Sequence, residues 1–328
     1  MDDLRRLING YQVSQAIHVA ATLGVADLLA DGARSSDELA QATGSHAPTL
    51  YRLLRALAAV GVLHEAPGQR FSLAPLGEQL RGDHPQSLRG WAAFVGRRYY
   101  WNAWASLGDS VRTGGNAFRL QNGMDIWSYR AEHPDENAIF DRAMQSLTAT
   151  TNRALLDAYE FGRFGTVVDV GGGNGTLLAM LLAEHPAMRG ILFDQPHVVE
   201  NAVAVLRPVA DRCTVEQGSF FDAVPQGGDA YILKAIIHDW EDEDAIAILR
   251  VVRRSVDEHA LLLVLEQLVG VPNEDPPAKF SDLNMLVAPG GRERTEEEFE
   301  ALLSVAGFRL EGITPSAAGP VVLAAAPA

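Results

Sequence analysis

Residues 167–176 read VVDVGGGNGT, a short apolar run followed by a glycine-rich segment. Apolar residues followed by glycines are typical of a first parallel strand whose end lies close to a ligand. The dinucleotide fingerprint G-x-G-x-x-G fails here, because counting from Gly171 puts Thr176 in the last place. Asp169 would repel a pyrophosphate, but it suits a ligand with an ammonium or sulfonium group. The stretch therefore predicts a loop that binds a cationic ligand without phosphate.

Strands and helices alternate beyond this loop. The predicted strands are Thr166–Val170, Gly190–Phe193, Cys213–Gln217, Ala230–Leu233 and Ala260–Leu265. This alternation predicts an α/β, Rossmann-like, doubly wound parallel sheet. After a capped helix at Thr295–Ala306, the last two strands, Phe308–Glu311 and Val321–Ala325, follow each other directly. That arrangement predicts an antiparallel edge with an antiparallel last strand.

Residues 1–90 have a different pattern, typical of a winged helix. The cap-like sequence SSDE at 35–38 precedes a helix, a second helix is expected over Ala47–Ala59, and a hairpin is expected around Pro67. Such a fold suggests DNA binding, but the segment holds 9 acidic residues against 8 arginines, and DNA affinity depends on neutralising phosphates. Self-association through the apolar helix at 11–29 is the interpretation we favour.

Composition excludes several classes of protein. The formal net charge of −15 argues against nucleic acid and against anionic membrane surfaces as partners. The single cysteine, Cys213, excludes a disulfide framework and a multi-cysteine metal site. The uncharged run from Leu7 to Ala26 is interrupted by polar residues, and the N-terminus lacks a signal-peptide pattern. We therefore expect a cytoplasmic protein.

A second carboxylate narrows the identity of the ligand. Asp194 ends the second predicted strand, where an acidic residue commonly binds ribose hydroxyls. A nucleoside that carries a cation and no phosphate describes S-adenosylmethionine. The alternative is that the glycines only form a tight turn and that both acids are solvated caps.

The fourth strand leads into LKAIIHDWED at 233–242. The carboxyl end of a strand is where an open α/β sheet presents its chemistry, and a histidine of ordinary pKa near 6.5 can accept a proton at neutral pH. His238 is therefore a candidate general base, with Glu266 at the end of the next strand as its orienting partner. A structural histidine is the alternative. A metal site of His238, Asp239 and Asp242 is less favoured, because the two aspartates suit a helix cap better.

Five motifs in order carry a family resemblance. They are VDVGGGNG (168–175), FDQPHV (193–198), LKAIIHDWEDEDA (233–245), DLNMLVAPGGRERTEEEF (282–299) and AGF (306–308). Together they resemble the S-adenosylmethionine-dependent O-methyltransferases, which include plant caffeate and flavonoid enzymes and bacterial enzymes that methylate aromatic polyketides and anthracyclines. The resemblance implies a winged-helix-like dimerisation domain over 1–100, a methyltransferase domain over 101–328 whose part 101–160 is a helical substrate-pocket segment, and a homodimer.

Residue pattern and resemblance together assign roles within the site. The predicted catalytic residues are His238 as base, with Glu266 and Glu293 as the acids that flank and orient it. The predicted cofactor-binding residues are Asp169, Gly171, Gly173, Asp194, Gln195, Ser219, Phe220 and Lys234. The predicted substrate-binding residues are Phe140, Met144, Asp239, Asp282, Asn284 and Met285.

Two departures from the family pattern limit this transfer. Ser219 stands where the family usually has the aspartate that holds the adenine amine, and the segment before Pro289 lacks the asparagine of the plant enzymes. Plant substrate contacts are therefore not carried over at the second position.

The predicted reaction is methyl transfer from S-adenosylmethionine to a phenolic hydroxyl of an aromatic small molecule, such as a polyketide. Four of the five tryptophans fall within 91–127 and could line a flat pocket or simply form core. No metal is required, because the histidine takes the phenol proton. The alternative is a relative repurposed for hydroxylation, decarboxylation or pericyclic chemistry on the same scaffold, and a DNA-binding regulator is a more remote one.

Overall fold

The computed structural model describes residues 2–200 and 202–328. The chain forms two compact units. One runs to Ala105 and includes Ile126–Ala149, and the other contains Ser106–Asp125 and Thr150–Ala328. The helical segment expected over 101–160 is thus divided between the two units.

The first unit is mainly helical. Its helices are α1 (Asp2–Ile8), α2 (Gly10–Leu23), α3 (Val25–Leu28), α4 (Ser36–Thr43), α5 (Ala47–Ala59), α6 (Pro75–Glu78), α7 (Arg89–Val95) and α8 (Arg98–Ala105). Its strands are β1 (Arg34–Ser35), β2 (Leu63–Ala66) and β3 (Arg70–Leu73), in the order β1-β3-β2. After α9 (Leu107–Thr113) and α10 (Ala117–Asn122) of the second unit, α11 (Ile126–Glu132) and most of α12 (Pro134–Ala158) belong to the first again.

A capping box confirms the predicted start of α4. The Ser35 hydroxyl accepts a hydrogen bond from the Glu38 N–H, and the Glu38 carboxylate accepts one from the Ser35 N–H. Leu39, Leu54 and Phe71 are fully buried where helices α4 and α5 meet the hairpin. Helix, turn, helix and hairpin are therefore arranged as the sequence predicts for a winged helix.

The second unit is built on a seven-stranded sheet. Its strands are β4 (Thr166–Val170), β5 (Arg189–Asp194), β6 (Cys213–Gln217), β7 (Ala230–Lys234), β8 (Leu261–Glu266), β9 (Phe308–Pro315) and β10 (Val321–Pro327). Its other helices are α13 (Thr176–Glu184), α14 (Pro196–Val199), α15 (Ala202–Leu206), α16 (Asp242–Arg253), α17 (Pro276–Val287) and α18 (Glu296–Val305), with 3₁₀ turns at Phe161–Arg163, Arg207–Val209 and Ile237–Asp239. The strand order is β6-β5-β4-β7-β8-β10-β9.

The direction of these strands confirms the predicted fold class. Strands β4 to β8 pair in parallel, whereas β10 pairs antiparallel with both β8 and β9. The predicted boundaries agree with the observed ones to within a few residues. The largest difference is at β9, which extends to Pro315 instead of ending at Glu311. Strand β8 ends at Glu266, as expected, and the carboxylate of that residue is buried.

Alternate residues of the strands face two apolar layers. Val168 and Val170 pack in the layer that contains α16 and α18. Val167 packs in the opposite layer, which contains Leu155 of α12 and Leu178 of α13. The carboxyl ends of β4, β5, β7 and β8 meet at one edge of the sheet, and that edge carries the candidate site.

Among the described residues, no helix is long and apolar enough to cross a membrane.

Candidate active site

The loop after β4 needs glycine for its conformation. Gly171 has φ +70° and donates its N–H to the Phe193 carbonyl at 2.8 Å. A Cβ at this position would lie 2.5 Å from Ile236 Cδ1. Gly173 has φ +61°, and a Cβ there would meet no described atom within 4 Å. Both positions therefore favour glycine, because of the positive φ and, at Gly171, because a side chain would clash with Ile236. Without side chains, the backbone of this loop is open to a ligand.

Asp194 ties the end of β5 to the same loop. Its Oδ2 accepts the Gly173 N–H at 2.9 Å, and its Oδ1 accepts the Gln195 N–H at 2.7 Å. Burial raises the pKa of this carboxyl, and the two backbone donors oppose that shift. Gln195 itself is exposed just before α14.

Asp169 is buried in the sheet beside the loop. It is 1% exposed, and its Oδ2 has no hydrogen-bond partner among the described residues. Burial raises its pKa to about 7, while the charge of Lys234 opposes the shift. Burial also lowers the pKa of Lys234, against the attraction of Asp169 and Glu266. A buried carboxylate oxygen without a partner suits a cationic ligand group.

The remaining predicted cofactor residues lie after β6. The Ser219 hydroxyl accepts the Phe221 N–H at 3.2 Å. The ring of Phe220 is close to the glycine loop, since its Cε1 lies 3.5 Å from the position of a Cβ on Gly171. The open glycine turn, the orphaned Asp169 oxygen and this aromatic edge together fit S-adenosylmethionine.

His238 lies in a sharp turn beyond β7. Ala235 adopts φ +53°, which is uncommon for a residue with a side chain. The N–H groups of the next three residues, Ile236, Ile237 and His238, then converge on Oε1 of Glu266 at 3.1, 2.9 and 3.3 Å. Glu266 thus holds the backbone of the turn that carries the histidine, a role that the sequence did not reveal.

The imidazole contacts two buried carboxylates through one nitrogen. His238 Nδ1 lies 3.0 Å from Glu293 Oε1 and 3.4 Å from Glu266 Oε2. Asp239 Oδ1 lies 3.7 Å from the other nitrogen, Nε2. The structure therefore brings the three predicted catalytic residues together and ties the ring by its Nδ1 side.

These charges determine how the histidine titrates. Burial alone lowers its pKa, but Glu266, Asp239 and Glu293 outweigh burial and raise the pKa of His238 to about 10. Burial raises the pKa of Glu266 to about 7. The expectation of an ordinary histidine pKa near 6.5 is therefore wrong, because these three carboxylates stabilise the imidazolium.

Glu293 is supported by Ser281 and Gly291, which the sequence analysis missed, and by Asp282, which it predicted as a substrate-binding residue. The Ser281 hydroxyl donates to Glu293 Oε1 at 2.6 Å, and Asp282 Oδ1 accepts the Glu293 N–H at 3.1 Å. A Cβ at Gly291 would overlap the His238 carbonyl oxygen, so only glycine lets the two segments meet this closely. The two adjacent glycines in PGGRERT were the feature of the sequence that could have predicted this close approach.

Arg294 was also missed, although it is 1% exposed. Its guanidinium donates to the carbonyls of Ile237 at 3.1 Å and Trp240 at 2.9 Å, and it pairs with Asp242 at 2.8 Å. It therefore fixes carbonyl groups of the histidine turn, whereas Glu266 holds the N–H groups of the same turn. Asp242 is consequently an ion-pair partner at the first position of α16, while Glu241 is the residue at the N-cap.

His238, Glu266 and Glu293 are also the group of described residues whose geometry could hold a metal ion, since their ligand atoms lie within 4.8 Å of one another. One oxygen of each glutamate already accepts hydrogen bonds. Glu266 Oε1 accepts from three backbone N–H groups, and Glu293 Oε1 accepts from Ser281 and His238. The other oxygen of each carboxylate, Oε2, is buried without a hydrogen-bond partner among the described residues.

The predicted substrate residues fall in both units. Asp239 and Asp282 lie beside the histidine and Glu293, and Met285 is buried on α17 with Asn284 next to it. Phe140 and Met144 belong to the first unit. There Phe140 packs 5.5 Å from Phe94 and 6.3 Å from Trp127, and the Arg130 guanidinium lies 3.3 Å from its ring centre.

Comparison with known proteins identifies the family of the chain. The family model described as an O-methyltransferase domain matches residues 104–309, and the one described as an O-methyltransferase dimerisation domain matches residues 5–81. Phenazine O-methyltransferase PhzM from Lysobacter antibioticus is 42% identical over 99% of this chain and 95% of its own. The crystal structure of LaPhzM matches with TM-score 0.95 and 42% identity, covering 99% of this chain and 98% of that one.

A structural neighbour is known with its ligands. The crystal structure of NcsB1, an O-methyltransferase from neocarzinostatin biosynthesis, is in complex with S-adenosylmethionine and 2-hydroxy-5-methyl naphthoic acid. It matches with TM-score 0.82 and 33% identity over 96% of each chain. The chain therefore belongs to the family of S-adenosylmethionine-dependent O-methyltransferases and is an enzyme of that class.

Proposed function

We propose that this enzyme methylates a phenolic hydroxyl of an aromatic secondary metabolite, such as a polyketide, with His238 as the general base. The observation that carries the proposal is the contact of His238 Nδ1 with Glu293 at 3.0 Å, backed by Glu266 at 3.4 Å. Nδ1 donates to the carboxylates, so Nε2 is the nitrogen that faces the reaction.

S-adenosylmethionine, when bound, supplies a methyl group made electrophilic by its sulfonium. Asp169 and the loop from Gly171 to Gly173 would hold its cationic part, and Asp194 its ribose. Phe220 would lie against its adenine. The support for this set is the orphaned Asp169 oxygen and the open left-handed glycine turn.

The charges around the imidazole ring determine whether it can accept the proton of the phenol. A phenol has an ordinary pKa of about 10, and the pKa of His238 is also raised to about 10. The proton can therefore pass from the phenol oxygen to Nε2 with little change in free energy. Glu293 and Glu266 would stabilise the imidazolium that results. The phenol oxygen could then take the methyl group as the bond between that group and sulfur breaks, which would leave S-adenosylhomocysteine.

The pKa values of His238 and the phenol also determine how the rate depends on pH. With a pKa of about 10, the ring of the free enzyme carries a proton at neutral pH. The ring and the phenol together must therefore lose one proton before the reaction, and the phenolate then sits against the imidazolium. We expect the rate to rise with pH towards the alkaline side.

Assembly and domain roles complete the proposal. We propose a domain boundary near residue 100, with the N-terminal winged helix as a homodimer interface and without a nucleic-acid or membrane partner. The dimerisation-domain match over 5–81 and the exposed apolar side chains Leu7, Ile8 and Tyr11 support this proposal. Residues 1–90 hold 9 acidic residues and 8 arginines, so this segment is close to neutral and attracts DNA only weakly.

Mass spectrometry of products from a panel of phenolic polyketides tests the reaction. Addition of one methyl group, with S-adenosylhomocysteine formed in equal amount, is the expected result. A product with one added oxygen or a lost carboxyl group would instead identify a repurposed relative. The intact base cluster of His238, Glu266 and Glu293 favours methyl transfer.

A further inference from the structure

Asn152 on α12 is a buried polar residue that lies outside the cluster of His238, Glu266 and Glu293. It is 0% exposed, and neither its Oδ1 nor its Nδ2 has a hydrogen-bond partner within the described part of the chain. A primary amide offers two donors and an acceptor oxygen. Burying all of them unpaired destabilises the folded protein, and a ligand that pairs with them removes that cost.

The register of α12 places Asn152 on the face that packs on the sheet. Leu155 and Leu156 are buried in the layer that contains Val167 and Leu178. Asn152 precedes them by three and four residues, so it lies on the same side of the helix, one turn earlier. Because α12 leads through a short 3₁₀ turn into the first residue of β4, that earlier turn lies nearer the carboxyl end of the strand.

The strands present polar groups to the same layer. Val167 belongs to it, so Asp169, two residues further along β4, faces the same side. Ile232 of β7 also belongs to it, and Lys234 follows two residues later. Asp169 and Lys234 interact electrostatically, which places their charges close together. Asn152 therefore shares a sheet face with one anion and one cation beside the glycine loop.

The chemistry of these three groups fits an α-amino acid. Asp169 Oδ2 is an acceptor without a partner in the described residues and suits an ammonium group. The Asn152 amide can donate to a carboxylate and accept from an ammonium group, and Lys234 supplies positive charge. We propose that Asn152 binds the amino-acid end of S-adenosylmethionine. This inference rests on the proposed function and adds a binding residue that neither the motifs nor the family resemblance assigns.

The test uses two ligands that differ only in this part. S-adenosylhomocysteine carries the amino-acid chain, whereas 5′-methylthioadenosine keeps the adenosine and the thioether without it. Asn152→Leu retains the shape of the side chain and removes its polar atoms. By calorimetry on the full-length protein, its affinity for S-adenosylhomocysteine should fall by about 10- to 100-fold. Its affinity for 5′-methylthioadenosine should change by less than about twofold.

Stability of the ligand-free protein gives a second readout. Because an unpaired buried amide is replaced by an apolar group of the same shape, Asn152→Leu should melt at or above the wild-type temperature. Asn122→Leu is the matched control, since the Asn122 amide is paired with the Phe118 carbonyl at 3.0 Å. That control should melt lower and bind both ligands as the wild type does.

Other results of these experiments would overturn either the role of Asn152 or the proposed function. Equal weakening for both ligands, or unchanged affinity for S-adenosylhomocysteine, overturns the role of Asn152. A wild-type protein that binds neither ligand overturns the proposed function itself, and the inference with it. If the leucine variant does not fold, Asn152→Ala carries the same comparison, because it removes the amide without adding bulk.

Discussion

His238 Nδ1 and Glu293 Oε1 lie 3.0 Å apart, although 55 residues separate them in the chain. This hydrogen bond selects the tautomer and the orientation of the ring, because Nδ1 must carry the proton that Glu293 accepts. In the proposed mechanism, the contact leaves Nε2 as the nitrogen for catalysis and places a negative charge beside the imidazolium. Its consequences can be measured.

Glu293→Gln should move the pH dependence of the rate. The substitution removes a charge that raises the pKa of His238, so the rising limb of kcat/KM against pH should shift to lower pH. The maximal rate should fall by about tenfold or more, because the ring loses its orientation. Glu300→Gln, at an exposed position on α18, is the control and should leave the profile in place. A limb that stays unshifted in Glu293→Gln would argue against charge coupling.

Asp169→Asn should weaken binding of the cofactor product. One oxygen of the carboxylate is buried without a hydrogen-bond partner in the described part of the chain. Because charged hydrogen bonds contribute strongly to binding, affinity for S-adenosylhomocysteine should fall by about 10- to 100-fold in calorimetry. The exposed Asp211→Asn serves as control. Equal affinities in all three proteins would show that Asp169 does not contact the ligand. Binding of NAD in place of S-adenosylhomocysteine would overturn the cofactor assignment.

Arg294→Met should destabilise the fold. It leaves the carbonyls of Ile237 and Trp240 without their donor in a buried turn, and we expect a loss of about 2–4 kcal/mol in the free energy of unfolding. Arg292→Met removes an exposed ion pair with Glu241 and should cost less than about 1 kcal/mol. Urea titration compares the two. Similar losses would contradict the role given to Arg294.

Contacts between residues that are close in the sequence can be predicted from it, whereas contacts between distant segments cannot. The capping box of Ser35 and Glu38 and the strand that contains Asp169 follow from neighbouring residues, so the local sequence pattern is enough to predict them. The triple backbone contact of Glu266 and the carbonyl contacts of Arg294 join segments that are distant in the chain. Hydropathy and spacing give no sign of which acceptor a buried side chain will reach, and so the raised pKa of His238 could not be foreseen.

The N-terminal helices should form a dimer interface. Leu7, Ile8 and Tyr11 are each more than half exposed in the single chain, and light scattering should give the mass of a dimer at micromolar concentration. Leu7→Asp should shift the mass towards the monomer, because it would bury a charge in the interface. Val271→Asp, at an exposed site in the second unit, should leave the dimer intact. A monomeric wild type would contradict the assembly proposal.

The most direct test of the central claim is turnover and cofactor binding by His238→Ala. The base faces the acceptor, so affinity for S-adenosylhomocysteine should stay nearly unchanged while methyl transfer falls by about 10²–10⁴-fold. Raising the pH should restore part of the rate, since hydroxide then ionises the phenol before it binds. Glu266→Gln should do less damage, because it leaves the base in place. Methyl transfer at the wild-type rate by His238→Ala would contradict the account and would make Asp282 the next candidate base.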